Sequence, residues 1–407
     1  MPLMPPPILS LVISTYNRRD VLLATLSRIE RSAARELPHE ILVVDNASRD
    51  GTADAVAGAF PEVRLFRQRR NLGACGKNVA LPGARGKYIV FLDDDSYPMT
   101  GSLARMVRHF EADPHLGCAV FSVTLPDGSR ECSAYPNVFI GCGAGFRRRA
   151  LEEAGGLPDD FFMQAEEYDL SLRLLDCGWG VQRFEGLHVM HLKTPAARSS
   201  RRVMRLDTRN NLLLIARRFP AGFVVPFALD WMWRYRRIAI SKRQRLAFWI
   251  GLGQGMFRAL VAARRSAISS EAFEVFARMD EIERRMRAAC GKHGLQRIVL
   301  IDWGKNMLAY HRAAKRCGVT IVAIADERLW GCTYRGVPVI RDSEAVEMDF
   351  DAAIVANLSP VHAEARKHQW RRLTSRPVID LMAEEEFATC AAAPDPSAAP
   401  RTAARSA

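Results

Sequence analysis

Tyr88-Ile89-Val90-Phe91-Leu92 runs without a break into Asp93-Asp94-Asp95-Ser96. Five apolar residues with no polar alternation read as a strand covered on both faces, the pattern of a parallel sheet. Open α/β sheets bind ligands at the carboxyl ends of their strands, and this end carries three consecutive acids. Adjacent carboxylates repel one another unless a cation sits among them, and hard oxygen donors of this kind suit Mg²⁺ or Mn²⁺. A solvated acidic turn is the other reading of the same residues.

The flanking sequence repeats the alternation. Ile8–Ser14 reads as a first strand, followed by the polar turn Thr15–Asp20, with Asp20 capping a helix whose stripe is Leu22, Leu26 and Ile29. Glu40–Val44 reads as a second strand ending in Asp45-Asn46. Thr52 opens a helix, and Val63–Phe66 is a short third strand. Arg70-Asn71-Leu72-Gly73-Ala74-Cys75-Gly76-Lys77-Asn78 leads through a further helix into the Tyr88 strand. Leu103, Met106, Val107 and Phe110 mark the helix after it. This order predicts an α/β fold with a doubly wound, mostly parallel sheet. Cys118–Val123 and Val138–Ile140 read as later strands, Gly141–Phe146 as a close backbone approach, and Glu166–Leu175 as a helix.

At 407 residues the chain exceeds one ordinary core. The expected division is a doubly wound domain over 1–215, a basic helical segment over 216–292, a small α/β domain over 293–390 and a disordered tail over 391–407. Gln296–Ile301, Val319–Ala325, Ala352–Ala356 and Pro377–Leu381 mark the strands of the small domain, which resembles the Rossmann-like modules found beside sugar-modifying enzymes. Its first turn, Ile301-Asp302-Trp303-Gly304-Lys305-Asn306-Met307, has Asp302 and Met307 where a dinucleotide fingerprint needs glycine. Trp303 would obstruct a pyrophosphate, and Asp326 is the one residue suitably spaced for a ribose. A regulatory, scaffolding or homo-oligomerising role is expected, rather than redox chemistry.

The net charge of +13 is concentrated: residues 198–265 hold 16 Lys/Arg against Asp207 and Asp230 alone. These cations are interleaved with Trp231, Trp233, Tyr235, Trp249 and the phenylalanines at 219, 223, 227, 248 and 257. An anionic membrane surface fits that mixture. A solvated helical face with an oligomer contact also fits. Nucleic acid fits on charge alone, with no binding module to accompany it. The uncharged runs 219–229 and 246–257 fall short of the roughly 20 residues that span a bilayer. Nine cysteines without a C-x-x-C, and an N-terminus lacking basic and apolar signal regions, lead to the expectation of a reducing, cytoplasmic location at the inner face of the membrane.

Taken together, Ile13-Ser14-Thr15-Tyr16-Asn17-Arg18, Val43-Val44-Asp45-Asn46-Ala47-Ser48 with Asp50-Gly51-Thr52, Arg70-Asn71-Leu72-Gly73, the Asp93 triplet, Glu166–Leu174 and Val189-Met190-His191 resemble glycosyltransferase family 2 in order and spacing. The resemblance covers about residues 8–215. It implies a GT-A fold, a UDP-, dTDP- or GDP-sugar donor, a divalent metal (Mg²⁺ or Mn²⁺) and inversion at the anomeric carbon. A glycan or polyprenyl-linked acceptor in cell-surface polysaccharide synthesis would follow. Residue by residue, it implies metal ligation by Asp93, Asp95 and His191, with Asp94 turned to the ribose; His191 also reads as an ordinary loop histidine. It puts Asp45 on the base or ribose, with Thr15, Tyr16, Asn17 and Asn46 in the same pocket. Arg70, Asn71 and Gly73 would position the donor, supported by Asn78, although Gly73 and Gly76 read equally well as turn residues.

The chemistry is consistent with the residues taken alone. A departing diphosphate needs neutralising, which a metal among carboxylates does as a Lewis acid, and inversion needs a base on the acceptor side. The family's base is the second member of a Glu-Asp pair. The matching position is Glu167, so this chain reads Glu-Glu. Glu166 and Asp169 are the alternatives, although Asp169 with Arg173 at i+4 also fits a helix ion pair. A sugar-nucleotide pyrophosphorylase would carry a glycine-rich loop after its first strand, and Thr15–Asp20 has no glycine. A non-catalytic carbohydrate-assembly module would tolerate loss of the carboxylates, and all are present.

Overall fold

The computed structural model describes residues 6–33, 37–193, 200–261 and 266–383. The tail expected over 391–407 lies outside them. In chain order the first sheet and its helices are β1 (Leu9–Thr15), α1 (Arg19–Ala33), β2 (His39–Asp45), α2 (Thr52–Ala59), β3 (Arg64–Arg67), β4 (Tyr88–Asp93) and β5 (Ser96–Pro98). They continue as α3 (Ser102–Ala112), β6 (Leu116–Thr124), β7 (Arg130–Glu131), β8 (Ala144–Arg147), α4 (Arg148–Ala154), α5 (Glu166–Asp176) and β9 (Gly180–His191). The strand order is β3-β2-β1-β4-β8-β6-β9-β5, with β7 paired to β6. The first four strands are parallel, β8 runs antiparallel to both β4 and β6, and β9 is parallel to β6.

Register places the site. In the parallel ladder Ser14 stands beside Asp93 and Thr15 beside Asp45, so the carboxyl ends of β1, β2 and β4 open on one edge. The continuous apolar β4 run is buried on both faces, as its sequence requires. Leu22, Leu26 and Ile29 of α1 are fully buried against the sheet.

Four local expectations are corrected. Asp20 does not cap α1. Asp50 does, its Oδ2 accepting from the Arg19 N–H at 3.0 Å. The segment after Arg70 forms short 3₁₀ turns over Gly73–Val79 and Leu81–Gly83 rather than an α-helix, closed by Pro82-Gly83. Val138–Ile140 is not a strand, although Val138 and Phe139 are buried. The antiparallel partner of β4 comes instead from Ala144–Arg147, where glycine at 145 admits Met106 of α3; a Cβ there would stand 2.1 Å from its sulfur. The expected boundary at 215 falls inside a continuous helix, α6 (Ser200–Arg218).

Helices α7 (Ala221–Ser241), α8 (Arg245–Val261), α9 (Ser270–Ala277) and α10 (Met279–His293) follow. Ser269 Oγ caps α9 by accepting from the Ala272 N–H, and a left-handed Arg278 separates it from α10. The second sheet comprises β10 (Arg297–Ile301), α11 (Met307–Arg316), β11 (Thr320–Ala325), β12 (Cys332–Tyr334), β13 (Val337–Ile340), α12 (Asp342–Ala345), β14 (Ala352–Val355), α13 (Pro360–Trp370) and β15 (Val378–Ile379). Its order is β12-β13-β11-β10-β14-β15, parallel except for β12. One hydrophobic cluster runs from Val12 through Phe219, Trp231 and Phe276 to Leu381, so the two sheets and the helices between them share a core.

Candidate active site

The carboxyl ends of β1 and β4 open into a cavity of about 580 Å³. Its lining includes Thr15, Tyr16, Arg18, Asn46, Asn71, Gly73, Asp93, Asp94, Asp95, Glu166, Glu167 and His191. Each acid of the triplet has a cation or donor, and Arg18 serves two of them. Asp93 Oδ1 accepts from Lys77 Nζ at 2.9 Å, and Lys77 is itself buried, with its ammonium 3.2 Å from the Gly141 carbonyl. Burial opposes the charge on both, but each holds the other ionised, so Asp93 is depressed and Lys77 raised. Asp94 accepts from Thr15 Oγ1 at 2.8 Å and lies 3.3 Å from Arg18; burial still pushes it up to about 6. Asp95 takes the other arm of Arg18 at 2.8 Å.

His191 reaches the cavity because β9 pairs with β5, opposite Ser96. Its Nδ1 meets Glu131 at 2.7 Å, and its Nε2 stands 3.3 Å from Asp95 Oδ1 without hydrogen-bond alignment. Burial works against the imidazolium, yet Asp95, Cys142 and Glu131 raise it to about 12, while Glu131 falls to about 2. Ligand atoms of Asp93, Cys142 and His191 lie within 4.8 Å of one another. Burial keeps the Cys142 thiol protonated, which removes it as a donor to a hard ion. That leaves Asp93 and His191 as the donors of this group that a hard divalent cation accepts, with Asp95 Oδ1 against the same imidazole.

The wall that carries Glu166 and Glu167 is built on strained backbone. Phe162, Gln164 and Ala165 all have left-handed φ (68°, 73° and 66°), and they lead directly into Glu166 and Glu167 at the start of α5. Such conformations persist only where surrounding structure imposes them. Here α6 does so. Asn210 Nδ2 lies 3.0, 2.8 and 2.7 Å from the carbonyls of Phe161, Met163 and Gln164, and Arg209 reaches those of Asp160 and Phe161. Gly73 bolts the same loop to the 3₁₀ turn on the facing wall: its φ is +67°, and a Cβ would stand 2.1 Å from the Phe162 carbonyl. Glu166 is 5% exposed with Oε2 unpartnered, whereas Glu167 is more open to the cavity. Burial raises both carboxyls, Glu166 strongly, and each adds to its surroundings' negative charge.

Several expected residues lie elsewhere. Asp169 is fully buried and clasped by Arg173 and Arg218, each at 2.7 Å, which leaves it outside the cavity lining and makes it a structural ion-pair centre. Asn17 ties the β1 turn to the β2 turn, accepting from the Arg49 N–H and donating its own N–H to Ser48. Arg70 is exposed beyond the wall, and Asn78 anchors Leu157 and Asp159 behind it. Asp45 is buried at the end of β2, one oxygen accepting from Ser48 and the other unpartnered among the described residues. Missing from the expectation were Arg18, Lys77, Glu131, Asp207, Asn211 and Lys305. Arg18, Lys77 and Lys305 sat within stretches already quoted and Asp207 was noted as one of two acids in the basic segment, but nothing local tied Lys305, Asp207, Glu131 or Asn211 to this cavity.

Residues 10–134 match the family model "Glycosyl transferase family 2". The chain is 30% identical over 109 residues to the Escherichia coli UDP-Glc:alpha-D-GlcNAc-diphosphoundecaprenol beta-1,3-glucosyltransferase WfaP, covering 26% of this chain and 42% of that protein. It therefore spans less than half of that relative. It is 27% identical over 296 residues to the succinoglycan biosynthesis protein ExoO of Rhizobium meliloti (strain 1021), covering 65% and 82% respectively. Among solved structures, S. aureus TarS 1-349 in complex with UDP-GlcNAc aligns with a TM-score of 0.47 and 14% identity over 76% of this chain and 92% of that one.

The α6 clamp generates a test. Asn210→Ala removes the donor from a buried, strained loop and should destabilise the protein by about 1–3 kcal/mol. The loss is expected as a lowered denaturation midpoint at unchanged m-value. A midpoint equal to wild type would show that the loop holds its shape without α6.

Proposed function

We propose, for a chain that belongs to glycosyl transferase family 2 through residues 10–134, that the cavity transfers a sugar with inversion from a nucleoside diphosphate to a glycan or lipid-linked acceptor. The observation that carries this reading is the meeting, in one cavity, of an ion-paired acid triplet with a separate pair of acids of raised pKa. Two environments for acids of one class suit two roles. The unpartnered Asp45 oxygen and Asn46 stand ready for nucleoside donors, although nothing in them chooses between UDP, dTDP and GDP. Thr15, Tyr16, Asn71 and Gly73 complete that end.

A divalent ion would be held by Asp93, Asp95 and His191, and when bound it supplies Lewis-acid stabilisation of the departing diphosphate. Because His191 is protonated in its own carboxylate pairs, binding must release that proton, so affinity for Mn²⁺ should rise with pH. Glu167 takes the acceptor hydroxyl proton as the new bond forms at the anomeric carbon and the bond to diphosphate breaks. Glu166 is too enclosed to meet an acceptor directly.

The helical segment gives the acceptor reading a second support. No described helix is long and apolar enough to cross a membrane. Yet α8 turns outward the stripe Leu246, Trp249, Ile250, Met256, Phe257 and Leu260, the first and last 74% and 83% exposed. Spaced at i, i+3, i+4 and beyond, this is one helix face. Lys242, Arg243 and Arg245 are exposed at its head. An apolar face beside cations fits an anionic bilayer surface. The opposite face packs on α6, whose Arg202, Asp207 and Asn211 line the cavity.

Three outcomes follow. In a thermal-shift screen, UDP, dTDP or GDP should stabilise the protein only with Mn²⁺ present. Asp95→Asn, chosen over alanine because Arg18 would otherwise be left buried without this partner, should abolish that shift; stabilisation undiminished in EDTA would sink metal-assisted donor binding. Glu167→Gln should lower transfer by roughly 10²–10⁴ while Glu166→Gln is milder, and a swap of phenotypes would move the base to Glu166. The protein should float with phosphatidylglycerol-containing liposomes at low salt, and Trp249→Glu with Phe257→Glu should stay at the bottom of the gradient; equal flotation of wild type and variant would remove α8 from the interface.

A further inference from the structure

The turn between β10 and α11 lies where a sheet of this order would receive a nucleotide phosphate, but it is occupied. Trp303 is 1% exposed within it, Asp302 is left-handed and paired to Arg366, and Asp326 spends its oxygens on the N–H groups of Trp303, Arg328 and Leu329. The turn faces the first domain and α7 instead. Tyr135 Oη and Trp231 Nε1 donate to the Lys305 carbonyl at 3.1 and 2.7 Å, and Arg234 donates to the Trp303 carbonyl at 2.8 Å.

The Lys305 side chain continues through this interface into the lining of the cavity. Its Nζ donates to Asn211 Oδ1 at 2.8 Å and lies 3.9 Å from the Tyr168 ring centre, 4.6 Å from that of Trp231 and 5.8 Å from that of Tyr235. Tyr168 directly follows Glu167, so the cage and the proposed base share the first turn of α5. The carboxylates acting on Lys305 are Asp207 and Glu167.

We propose that the C-terminal α/β domain is a working part of the transfer site, and that it supplies Lys305 as a positioning residue whose charge holds Glu167 and Asp207 in place at the acceptor end. This rests on the reading of Glu167 as the acceptor-side base. The charged groups facing Glu167 are Lys77 from the 3₁₀ turn, Asp93 from β4, Asp207 from α6, Lys305 from the second domain and Glu166 beside it. Lys77 is committed to Asp93. Lys242 and Arg234 also act on Asp207, and of these three cations Lys305 is the one that lines the cavity. Burial draws Lys305 down against the pull of Asp207 and lifts Asp207 against the pull of Lys305, so each side chain depends on the other for its charge.

The experiment labels the full chain with a water-soluble carbodiimide and glycinamide between pH 5 and 8, and quantifies Glu167 by peptide mass spectrometry. Protonated carboxyls react, so the curve reports the ionisation of Glu167. Lys305→Met keeps the volume in the aromatic cage and removes the charge; the half-labelling pH of Glu167 should rise by roughly one unit. Lys305→Arg should restore it, which a purely space-filling side chain would not require. Asp207→Asn, which does not disturb the cage, should move the curve in the opposite direction and serves if Lys305→Met fails to fold. Curves that superimpose on wild type in the folded variants overturn the proposal. The labelling needs neither donor nor acceptor, so its result is independent of whether Glu167→Gln abolishes transfer.

Discussion

Burying acids around one cavity is costly unless each finds a cation or donor, and the site is arranged to meet that constraint. Asp93 has Lys77, Asp94 has Thr15 and Arg18, Asp95 has Arg18 and His191, and Glu131 has His191 and Lys193. Glu166 has no such partner for Oε2 and is driven strongly toward its neutral form. The imbalance separates the cavity into an end whose acids are ion-paired and an end whose carboxyls burial pushes toward their neutral forms. Both ends are fixed by the same few elements, since Gly73 and Asn46 connect the turn after β2 to the loop that carries Glu166.

Much of the sheet was legible because its signals are local. The unbroken apolar runs of β1, β2 and β4, each ending in polar or acidic residues, specify parallel strands wherever they occur. Val138–Ile140 misled because burial and strand are different properties: these residues fill the core from a loop. Gly73–Val79 misled because its shape is imposed by Asn46 and Phe162, distant in sequence. The acid triplet and the Glu166–Glu167 pair could be named from sequence, and they do line one cavity. Their partners could not. Glu131, Asn211 and Lys305 reach the site through pairings of β7, α6 and the second sheet that no short motif records. Asp169 shows the reverse case, a motif residue whose role is settled by Arg218 49 positions away.

The second sheet illustrates how a fold outlasts its usual use. Its strand order would support nucleotide binding, but the turn that would do it is filled by an indole and buried against Tyr135, Trp231 and Arg234. Residues that disqualify the turn as a phosphate cradle are those that qualify it as an interface. Trp303 supplies apolar volume and Lys305 a long side chain able to cross the boundary.

Net charge, finally, proves a poor guide to the basic segment. Of its cations, Arg217 and Arg258 pair with Asp160, Arg218 with Asp169, Arg209 holds loop carbonyls, and Arg234 and Arg237 hold carbonyls of the second domain. A guanidinium makes such contacts well because its planar fork reaches several acceptors at once. These arginines are internal fasteners, and they contribute little to a surface field. Among the described residues the exposed cations of the segment are Arg201 and Arg202 at the head of α6 and Lys242, Arg243 and Arg245 at the turn from α7 into α8. The stronger surface feature is apolar. Gly251 and Gly255 let α8 press against α6, where a Cβ at 251 would stand 2.4 Å from the Arg205 carbonyl. With its small residues spent on that contact, the large apolar ones of α8 face outward. The same helix α6 thus carries the loop clamp, part of the cavity wall and the seat of the exposed apolar face, so that face lies directly behind the cavity.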